Sequence, residues 1–180
     1  SVDMVSICSP PESHFDQIYG ALELNIPVFC EKPLFWNEDW EYDEVVNKLG
    51  LLRDHPNRRI FVNTSNTVFV EHIKRLAFDH LCATTFIFKF HTQGSNIGRK
   101  IAVDLLPHGF SILQKLYGID KPKHITYKLS TNQFLCNFEY KNISVSFEFK
   151  QHPNEEKLLS LVFDGREFQR RQRGSGDTYE

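Results

Sequence analysis

The chain has 180 residues, of which 41% are hydrophobic, enough for one ordinary domain or two small ones with a buried core. Its 21 Lys and Arg residues nearly balance 23 Asp and Glu residues, so the net charge of -2 gives no electrostatic reason to expect nucleic acid or an anionic membrane as a partner. No apolar run is long enough for a membrane span and no basic signal peptide opens the chain, which predicts a cytoplasmic protein.

The first third of the chain alternates short apolar runs with helical patterns. "MVSIC" predicts a buried strand, and Ser9-Pro10-Pro11 ends it and begins a helix, because proline is tolerated at the first helical position. We expect a helix over 12–24, a strand at "VFC", a helix over about 38–53 and a strand within "RIFVNT". This βαβαβ order predicts a parallel sheet covered by helices, with ligands beyond the carboxyl ends of its strands.

After residue 64, strand patterns dominate. A helix is expected near 67–80, and "ATTFIFKFHT" then alternates in the manner of a half-buried strand. The segments "HITYKLS", "FLCNFEY", "ISVSFEF" and "LLSLVF" continue this pattern, with hairpin turns predicted at Lys141-Asn142 and Asp164-Gly165. The sequence therefore predicts a second domain, of α+β class, at 65–180 with a largely antiparallel sheet.

A helix within "KIAVDLLPHGFSILQKLYG" at 100–118 is expected to interrupt these strands and to end at Gly118. Pro107 restricts where the helix begins: if Asp104 is the N-cap, Pro107 falls in the first turn, where its missing N–H costs no intrahelical bond. His108 then lies about one turn beyond Asp104.

The cysteines, the other histidines and a basic run give no sign of a metal or anion site. Cys8, Cys30, Cys82 and Cys136 are widely separated, and we interpret them as reduced core residues. The histidines at 55, 72, 80, 91, 124 and 152 form no ligand-like cluster, so no metal is expected. We interpret "REFQRRQR" at 166–173 as a solvated tail or a strand edge rather than an anion site.

Residues 5–34 combine Ser9-Pro10, His14, Ala21-Leu22 and Glu31-Lys32-Pro33 in that order. This combination resembles the Gfo/Idh/MocA oxidoreductases, whose pattern is a hydrophobic strand, a Thr/Ser-Pro turn, a histidine, a helix with an Ala-Leu pair and a strand ending in Glu-Lys-Pro. The family's second motif, Asp-x-x-x-His on a helix of its second domain, is similar to Asp104 and His108. The resemblance implies the C-terminal part of a Rossmann-like parallel sheet at 1–64, followed by an α+β substrate and oligomerisation domain at 65–180.

The resemblance also implies an activity. Such a protein would be an NAD- or NADP-dependent enzyme that transfers a hydride between nicotinamide and a sugar, a cyclitol or a related hydroxy or keto substrate. The implied catalytic residues are Lys32, Asp104 and His108. The implied cofactor-binding residues are Ser9, Pro10, His14, Glu31 and Pro33. The broad antiparallel sheet implies a homo-oligomer.

The chemistry suits these residue types. Oxidising an alcohol removes the hydroxyl proton as well as the hydride, so a group bonded to that oxygen must favour its developing charge. The cation of Lys32 does this, with Glu31 orienting it or touching the ribose and Pro33 rigidifying the turn. His108 is a suitable acid or base, and Asp104 would bind substrate hydroxyls or hold the imidazole.

Three features depart from the family pattern. The sequence contains no G-x-G-x-x-G, "RKIAV" replaces the glycines that commonly precede the aspartate, and Ser111 stands where another aspartate is common. Because the chain begins at Ser1, directly before an apolar segment, we expect a truncated piece of a longer polypeptide whose phosphate-binding loop lies upstream. The alternative function is a non-catalytic, cofactor-free relative that serves as a binding or assembly module.

Each candidate residue also has a structural interpretation. Glu31 and Lys32 by themselves fit a solvent-facing charge pair, and His14 fits a cap of the first helix. His108 fits a core histidine bonded to the backbone. The sequence leaves these interpretations open.

Overall fold

The computed structural model describes residues 2–76, 82–170, 172–173 and 178–179. The chain divides into two compact units, unit 1 (Ser1–Thr64) and unit 2 (Ser65–Glu180). Within the described ranges, no helix is long and apolar enough to cross a membrane.

Unit 1 alternates strands and helices as predicted. Its elements are β1 (Val5–Ile7), α1 (Pro11–Glu23), β2 (Val28–Cys30), α2 (Tyr42–Asp54) and β3 (Ile60–Val62). The strands form a parallel sheet in the order β1-β2-β3, with Val28 opposite Val5 on one side and Ile60 on the other. Because all three strands run the same way, their carboxyl ends meet at one edge.

The core of unit 1 forms where α1 packs on the sheet. α1 buries Ile18 and Leu22, four residues apart on one helical face, against Val28 of β2. Next to this core, Phe15 and Trp40 meet edge to face, and the Lys48 ammonium lies 4.1 Å from the centre of the Phe15 ring.

Unit 2 is built on a six-stranded sheet. Its elements are α3 (Thr67–Leu76), β4 (Thr85–Thr92), α4 (Arg99–Tyr117), β5 (Lys123–Leu129), β6 (Gln133–Tyr140), β7 (Ile143–Gln151), β8 (Leu158–Phe163), β9 (Arg166–Arg170), β10 (Gln172–Arg173) and β11 (Thr178–Tyr179). The strand order is β5-β6-β7-β4-β8-β9, antiparallel at every pair except β4–β7, and β10 pairs with β11 separately. The predicted largely antiparallel sheet is confirmed. The predicted helical residues 77–80 lie outside the described residues.

The alternating strands give the six-stranded sheet two different faces. One face carries Phe86 and Phe88 of β4 and Phe147 of β7, all buried against α3 and α4. The other face mixes apolar and charged side chains, with Ile87 beside Lys89 on β4. Both predicted hairpin turns are present, and all four of their residues have positive φ, as a two-residue turn between twisted strands requires.

The helix predicted at 100–118 is present as α4, and Asp104 lies inside it rather than at its start. The helix begins at Arg99, so Asp104 is not its N-cap and Pro107 lies inside the helix. An interior proline costs about 3 kcal/mol through the lost hydrogen bond and the clash with the preceding turn. Burying the side chains of Ile101 and Ile112 contributes about 1.5–3 kcal/mol each, which offsets that cost. Packing against the sheet therefore compensates for the proline inside the helix.

The prediction that all four cysteines are core residues is wrong for two of them. Cys30 and Cys136 belong to the buried clusters of unit 1 and unit 2, respectively. Cys8 directly follows β1 and Cys82 lies shortly before β4, and both are exposed.

Candidate functional site

The carboxyl edge of the parallel sheet brings the sequence motifs of unit 1 together. Ser9 and Pro10 follow β1, and Glu31, Lys32 and Pro33 follow β2. Backbone pairing continues one residue past the strands, because the Glu31 N–H donates to the carbonyl of Ile7 at 2.9 Å. The Ser-Pro loop and the Glu-Lys-Pro turn therefore start side by side.

His14 of α1 joins these two segments from beneath. Its side chain is only 1% exposed. Nε2 lies 2.7 Å from the carbonyl oxygen of Ser9, and Nδ1 lies 3.0 Å from that of Pro33. Both partners are acceptors, so an imidazolium donates to both, whereas a neutral ring donates to one. The interpretation of His14 as a helix cap is wrong, because carbonyl groups occupy the ring nitrogens that would have to accept from helical N–H groups.

The Ser-Pro loop leads directly into the first turn of α1. Pro10 is the N-cap residue and Pro11 opens the helix, as the sequence predicts. The Ser9 hydroxyl donates to the Gln17 side-chain oxygen at 2.8 Å and accepts from the Ser13 hydroxyl at 2.9 Å. The loop is thus fixed by α1 at the edge where a parallel sheet binds its ligands.

The Glu-Lys-Pro turn is fixed at both ends. The peptide between Lys32 and Pro33 is cis, the carbonyl of Pro33 contacts His14, and the Glu31 carboxylate accepts a hydrogen bond from the Asn63 side chain. Lys32 is half-buried between these anchors. Asn63 was not predicted from the sequence, although its position directly after β3 places it at the same edge.

The thiol of Cys30 lies under this edge and stays protonated. Burial, followed by the negative charge of Glu31, raises the pKa of Cys30 to about 11. Its sulfur lies 3.4 Å from Nδ1 of His14. A neutral thiol is a poor nucleophile, so Cys30 packs and donates rather than reacts.

In unit 2, α4 places Asp104 and His108 one turn apart on one face. The Asp104 oxygen Oδ2 accepts hydrogen bonds from the side-chain amides of Asn96, at 3.1 Å, and of Gln151. The His108 ring is buried and meets the Phe90 ring edge to face, with centroids 5.4 Å apart. Asn96 and Gln151 were not predicted from the sequence.

The residue after His108 fixes how closely α4 approaches the sheet. A Cβ placed on Gly109 would lie 2.6 Å from two ring atoms of Phe147, nearer than real Cβ atoms come. Only glycine lets the helix backbone rest on that ring. The height of Asp104 and His108 above the sheet is therefore set by a glycine.

A separate surface groove of about 790 Å³ lies at the opposite ends of α1 and α2. Its wall includes buried His55, whose Nδ1 accepts from the Asn57 backbone N–H, so Nε2 carries the proton and donates to Glu23 at 2.9 Å. None of the predicted site residues lines this groove. In the described part of the chain, no three His, Cys, Asp or Glu residues are grouped so that they would hold a metal ion.

Parallel strands with helices between them, and with anchored loops at their carboxyl ends, define unit 1 as a Rossmann-type fold. Residues 1–64 match the model of the GFO_IDH_MocA family, described as an oxidoreductase family with an NAD-binding Rossmann fold. The predicted resemblance to the Gfo/Idh/MocA oxidoreductases is confirmed over residues 1–64. No curated protein sequence matches the chain.

Solved structures share the fold of the chain. The WlbA (WbpB) dehydrogenase from Thermus thermophilus, in complex with NAD and alpha-ketoglutarate, is 21% identical, with a TM-score of 0.72 and coverage of 94% of this chain and 60% of that chain. The same dehydrogenase in complex with NAD and UDP-GlcNAcA is 19% identical, with a TM-score of 0.70 and coverage of 94% of this chain and 61% of that chain. The myo-inositol 2-dehydrogenase from Lactobacillus plantarum is 14% identical, with a TM-score of 0.69 and coverage of 94% of this chain and 57% of that chain. Such identities establish the fold, and the chain spans 57 to 61% of the length of those structures.

Proposed function

We propose that this protein is an NAD(P)-dependent oxidoreductase that transfers a hydride between nicotinamide and a sugar, a cyclitol or a related hydroxy or keto substrate. The observation that carries the proposal is the anchored Glu31-Lys32-Pro33 turn at the carboxyl edge of the parallel sheet, tied to the Ser9-Pro10 loop by His14. The NAD-binding family of residues 1–64 and the dehydrogenases among the structural neighbours support it.

The carboxyl edge of unit 1 suits the nicotinamide end of NAD or NADP. Two loops meet there with the first turn of α1, whose N–H groups favour negatively charged or hydrogen-bond-accepting groups. In the proposal Ser9, Pro10, Glu31 and Pro33 lie against the cofactor, while His14 holds both loops from below. A bound nicotinamide would accept or return the hydride.

Lys32 is the proposed partner of the reacting oxygen. Its ammonium donates a hydrogen bond to the substrate hydroxyl and stabilises the negative charge that develops as the proton leaves. The charge helps only if it is already in place before the reaction. Asn63 holds Glu31 and His14 holds Pro33, so the turn that carries Lys32 is fixed on both sides.

His108 and Asp104 are the other proposed catalytic residues. His108 accepts the hydroxyl proton in one direction and returns it in the other. Asp104 accepts hydrogen bonds from substrate hydroxyls, with its carboxylate oriented by Asn96 and Gln151.

Measurements of cofactor binding, followed by measurements of turnover, test the proposal. Trp36 and Trp40 both lie in unit 1, so quenching of tryptophan emission during titration with NADH or NADPH reports binding there. Lys32→Met is expected to lower turnover of a polyol substrate about 10²-fold or more while the Kd for NADH changes less than about threefold. Lys121→Met, at an exposed loop position, is the control. Unchanged turnover in Lys32→Met refutes the assignment.

The mixed face of the six-stranded sheet favours a second candidate, a non-catalytic assembly module. Ile87 lies near the middle of that face, opposite Val162 and Ser146 on the flanking strands. We propose a homo-oligomer formed through this face in either case, so Ile87→Asp should reduce the mass measured by sedimentation, whereas Thr131→Asp in an exposed loop should not. Saturable NADH binding would exclude the cofactor-free module.

A cytoplasmic location is part of the proposal. Cys8 and Cys82 are exposed free thiols. Exposed thiols persist in a reducing compartment and tend to be oxidised outside it. Thiol counting on protein purified under argon from the cytoplasm of the host cell should find both in reduced form.

A further inference from the structure

The strand β5 forms one outer edge of the six-stranded sheet. It pairs with β6 on one side, and no strand in the described part of the chain pairs with its other side. All seven of its residues are exposed. The outer edge of a strand presents backbone N–H and C=O groups that can pair with a further strand. This edge is distinct from the mixed face, because it lies at the side of the sheet.

The hairpin that joins β5 to β6 shows which backbone groups of β5 face outward. The Ser130 N–H donates to the carbonyl of Gln133 at 2.9 Å, so the backbone of Ser130 faces β6. Backbone direction alternates along an antiparallel strand, so Lys128 also faces β6 whereas Tyr127 and Leu129 face outward. A strand added to this edge would therefore bond to the backbone of Tyr127 and Leu129.

The side chains at these two positions are apolar and exposed. Tyr127 is 67% exposed and lies across from buried Cys136, and its ring stacks on that of Phe134 with centroids 6.1 Å apart. Leu129 is 40% exposed and lies across from Phe134. Ile125, on the same strand, is also exposed. The apolar face of the sheet thus continues to its edge, where an added strand would cover it.

The opposite face of the same edge is basic. From 121 to 138 the sequence has lysine at 121, 123 and 128 and no Asp or Glu. Lys123 lies across from Glu139 of β6, so an acidic residue faces it on the adjacent strand. Lys128 lies across from Leu135, and no acidic residue of β6 lies within two positions of that leucine. Because opposite charges attract across a strand pair and like charges repel, Lys128 favours an acidic neighbour on its outer side.

We propose that the β5 edge binds an acidic partner protein, which adds an extended segment to the sheet as a further antiparallel strand. The segment carries apolar side chains opposite Tyr127 and Leu129, alternating with acidic side chains on the face of Lys128. A second copy of β5 fits less well, because pairing would place Lys123 and Lys128 of both copies along one edge and neither β5 contains an acidic residue. A nucleic acid would attract the lysines but has no peptide backbone to pair with the edge.

Synthetic peptides test the proposal on the whole chain. The probe is a capped peptide that alternates valine and glutamate, and calorimetry should show saturable binding. Replacing every glutamate with lysine should weaken binding at least about tenfold. Peptides methylated on backbone nitrogens test the pairing, because the valines opposite Tyr127 and Leu129 direct their N–H groups at β5 and the glutamates direct theirs away. Methylation at valine should weaken binding about tenfold, and at glutamate less than about threefold.

These peptides also define how the proposal fails. Absence of saturable binding to the valine-glutamate peptide overturns it, as does equal binding of the lysine peptide. A loss that is the same at both methylated positions, or that is larger at glutamate, overturns the antiparallel pairing on which the proposal rests.

Variants of the chain assign the charge and the backbone donor separately. Lys128→Glu should weaken the glutamate peptide at least about fivefold and strengthen the lysine peptide, whereas Lys157→Glu, at an exposed loop position, should do neither. Leu129→Pro removes an outward N–H, which an edge strand tolerates, and should weaken binding more than Leu129→Ala, which removes only the side chain. If Lys128→Glu binds both peptides as wild type does, the assignment of an acidic partner is wrong.

Amide hydrogen exchange locates the bound peptide. In the chain alone the amides of Tyr127 and Leu129 should exchange rapidly, whereas that of Lys128 should be protected by β6. Saturation with the valine-glutamate peptide should slow exchange at Tyr127 and Leu129 only. Binding without this protection places the peptide elsewhere and overturns the proposal. Protection that grows with protein concentration, without any peptide, would show that two copies pair at this edge and would also overturn it.

Discussion

Replacing His14 with phenylalanine tests how the two loops at the carboxyl edge are held. The substitution keeps a buried ring but removes both nitrogens, leaving the carbonyl groups of Ser9 and Pro33 without their partner. Each buried polar group left unsatisfied costs about 1–3 kcal/mol, so the expected loss in the free energy of unfolding for two groups is about 2–6 kcal/mol. A unit of this size has about 3–10 kcal/mol in total, so the substitution removes much of its stability.

Urea unfolding followed by tryptophan emission measures this loss, because Trp36 and Trp40 both report unit 1. With an m-value of about 1 kcal/mol per molar urea, the midpoint should fall by roughly 2 M or more. Asp16→Ala, at an exposed position of α1, should change it by less than about 0.5 M. A midpoint for His14→Phe within that same small range would show that the ring does not hold the loops.

Five further substitutions probe packing, hydrogen bonding and ionisation. Gly109→Ala should destabilise unit 2 by about 1–3 kcal/mol despite the better helix propensity of alanine, whereas Gly20→Ala, where the added Cβ meets open space, should stabilise α1 by about 0.5–1 kcal/mol. Thermal unfolding that ranks the two variants the other way would refute the close contact at Gly109. Tyr117→Phe removes a buried hydroxyl that has no partner among the described residues, so it should be neutral or stabilising. Tyr140→Phe removes a hydroxyl that donates to the carbonyl of Gly118 at 2.7 Å, so it should cost about 1–2 kcal/mol, and equal urea midpoints for the two variants would contradict this. The pKa of the Cys30 thiol is 9.0 in the unfolded chain and about 11 in the folded protein, so its contribution to stability is complete below pH 9 and is lost as the pH rises towards 11. The Cys30→Ala variant should therefore lose less stability than wild type between pH 9 and 11, and parallel pH profiles of the two proteins would refute the shift.

The sequence predicted the elements of unit 1 because local signals agree with the packing there. Pro11 opens α1 where expected, and the apolar spacing of Ile18 and Leu22 matches the face that is buried. The three strands are short, uninterrupted apolar runs between helices, a pattern typical of parallel sheets. Predicted and observed element ends in this unit differ by a few residues, as is common where helices fray or start through irregular turns.

Contacts between distant parts of the chain were not predictable in the same way. The sequence pattern placed Asp104 and His108 on one helix, but it did not show whether the helix continues through Pro107, because burial of Ile101 and Ile112 decides that. Asn63, Asn96 and Gln151 are ordinary polar residues with no local signal. Their partners are set by strand order and loop path, which a single sequence does not reveal.

The parallel pairing of β4 with β7 has a consequence for how the chain acquires its structure during synthesis. β4 is the first strand of unit 2 to leave the ribosome, yet it lies in the middle of the sheet, where Phe88 pairs with Phe147 on one side and Leu161 on the other. A Phe-rich strand must therefore wait for two later strands before it is covered, and pairings so distant in sequence form slowly. Unit 1 closes through neighbouring elements and has no such delay. Nascent chains released before β8 should therefore bind chaperones through β4.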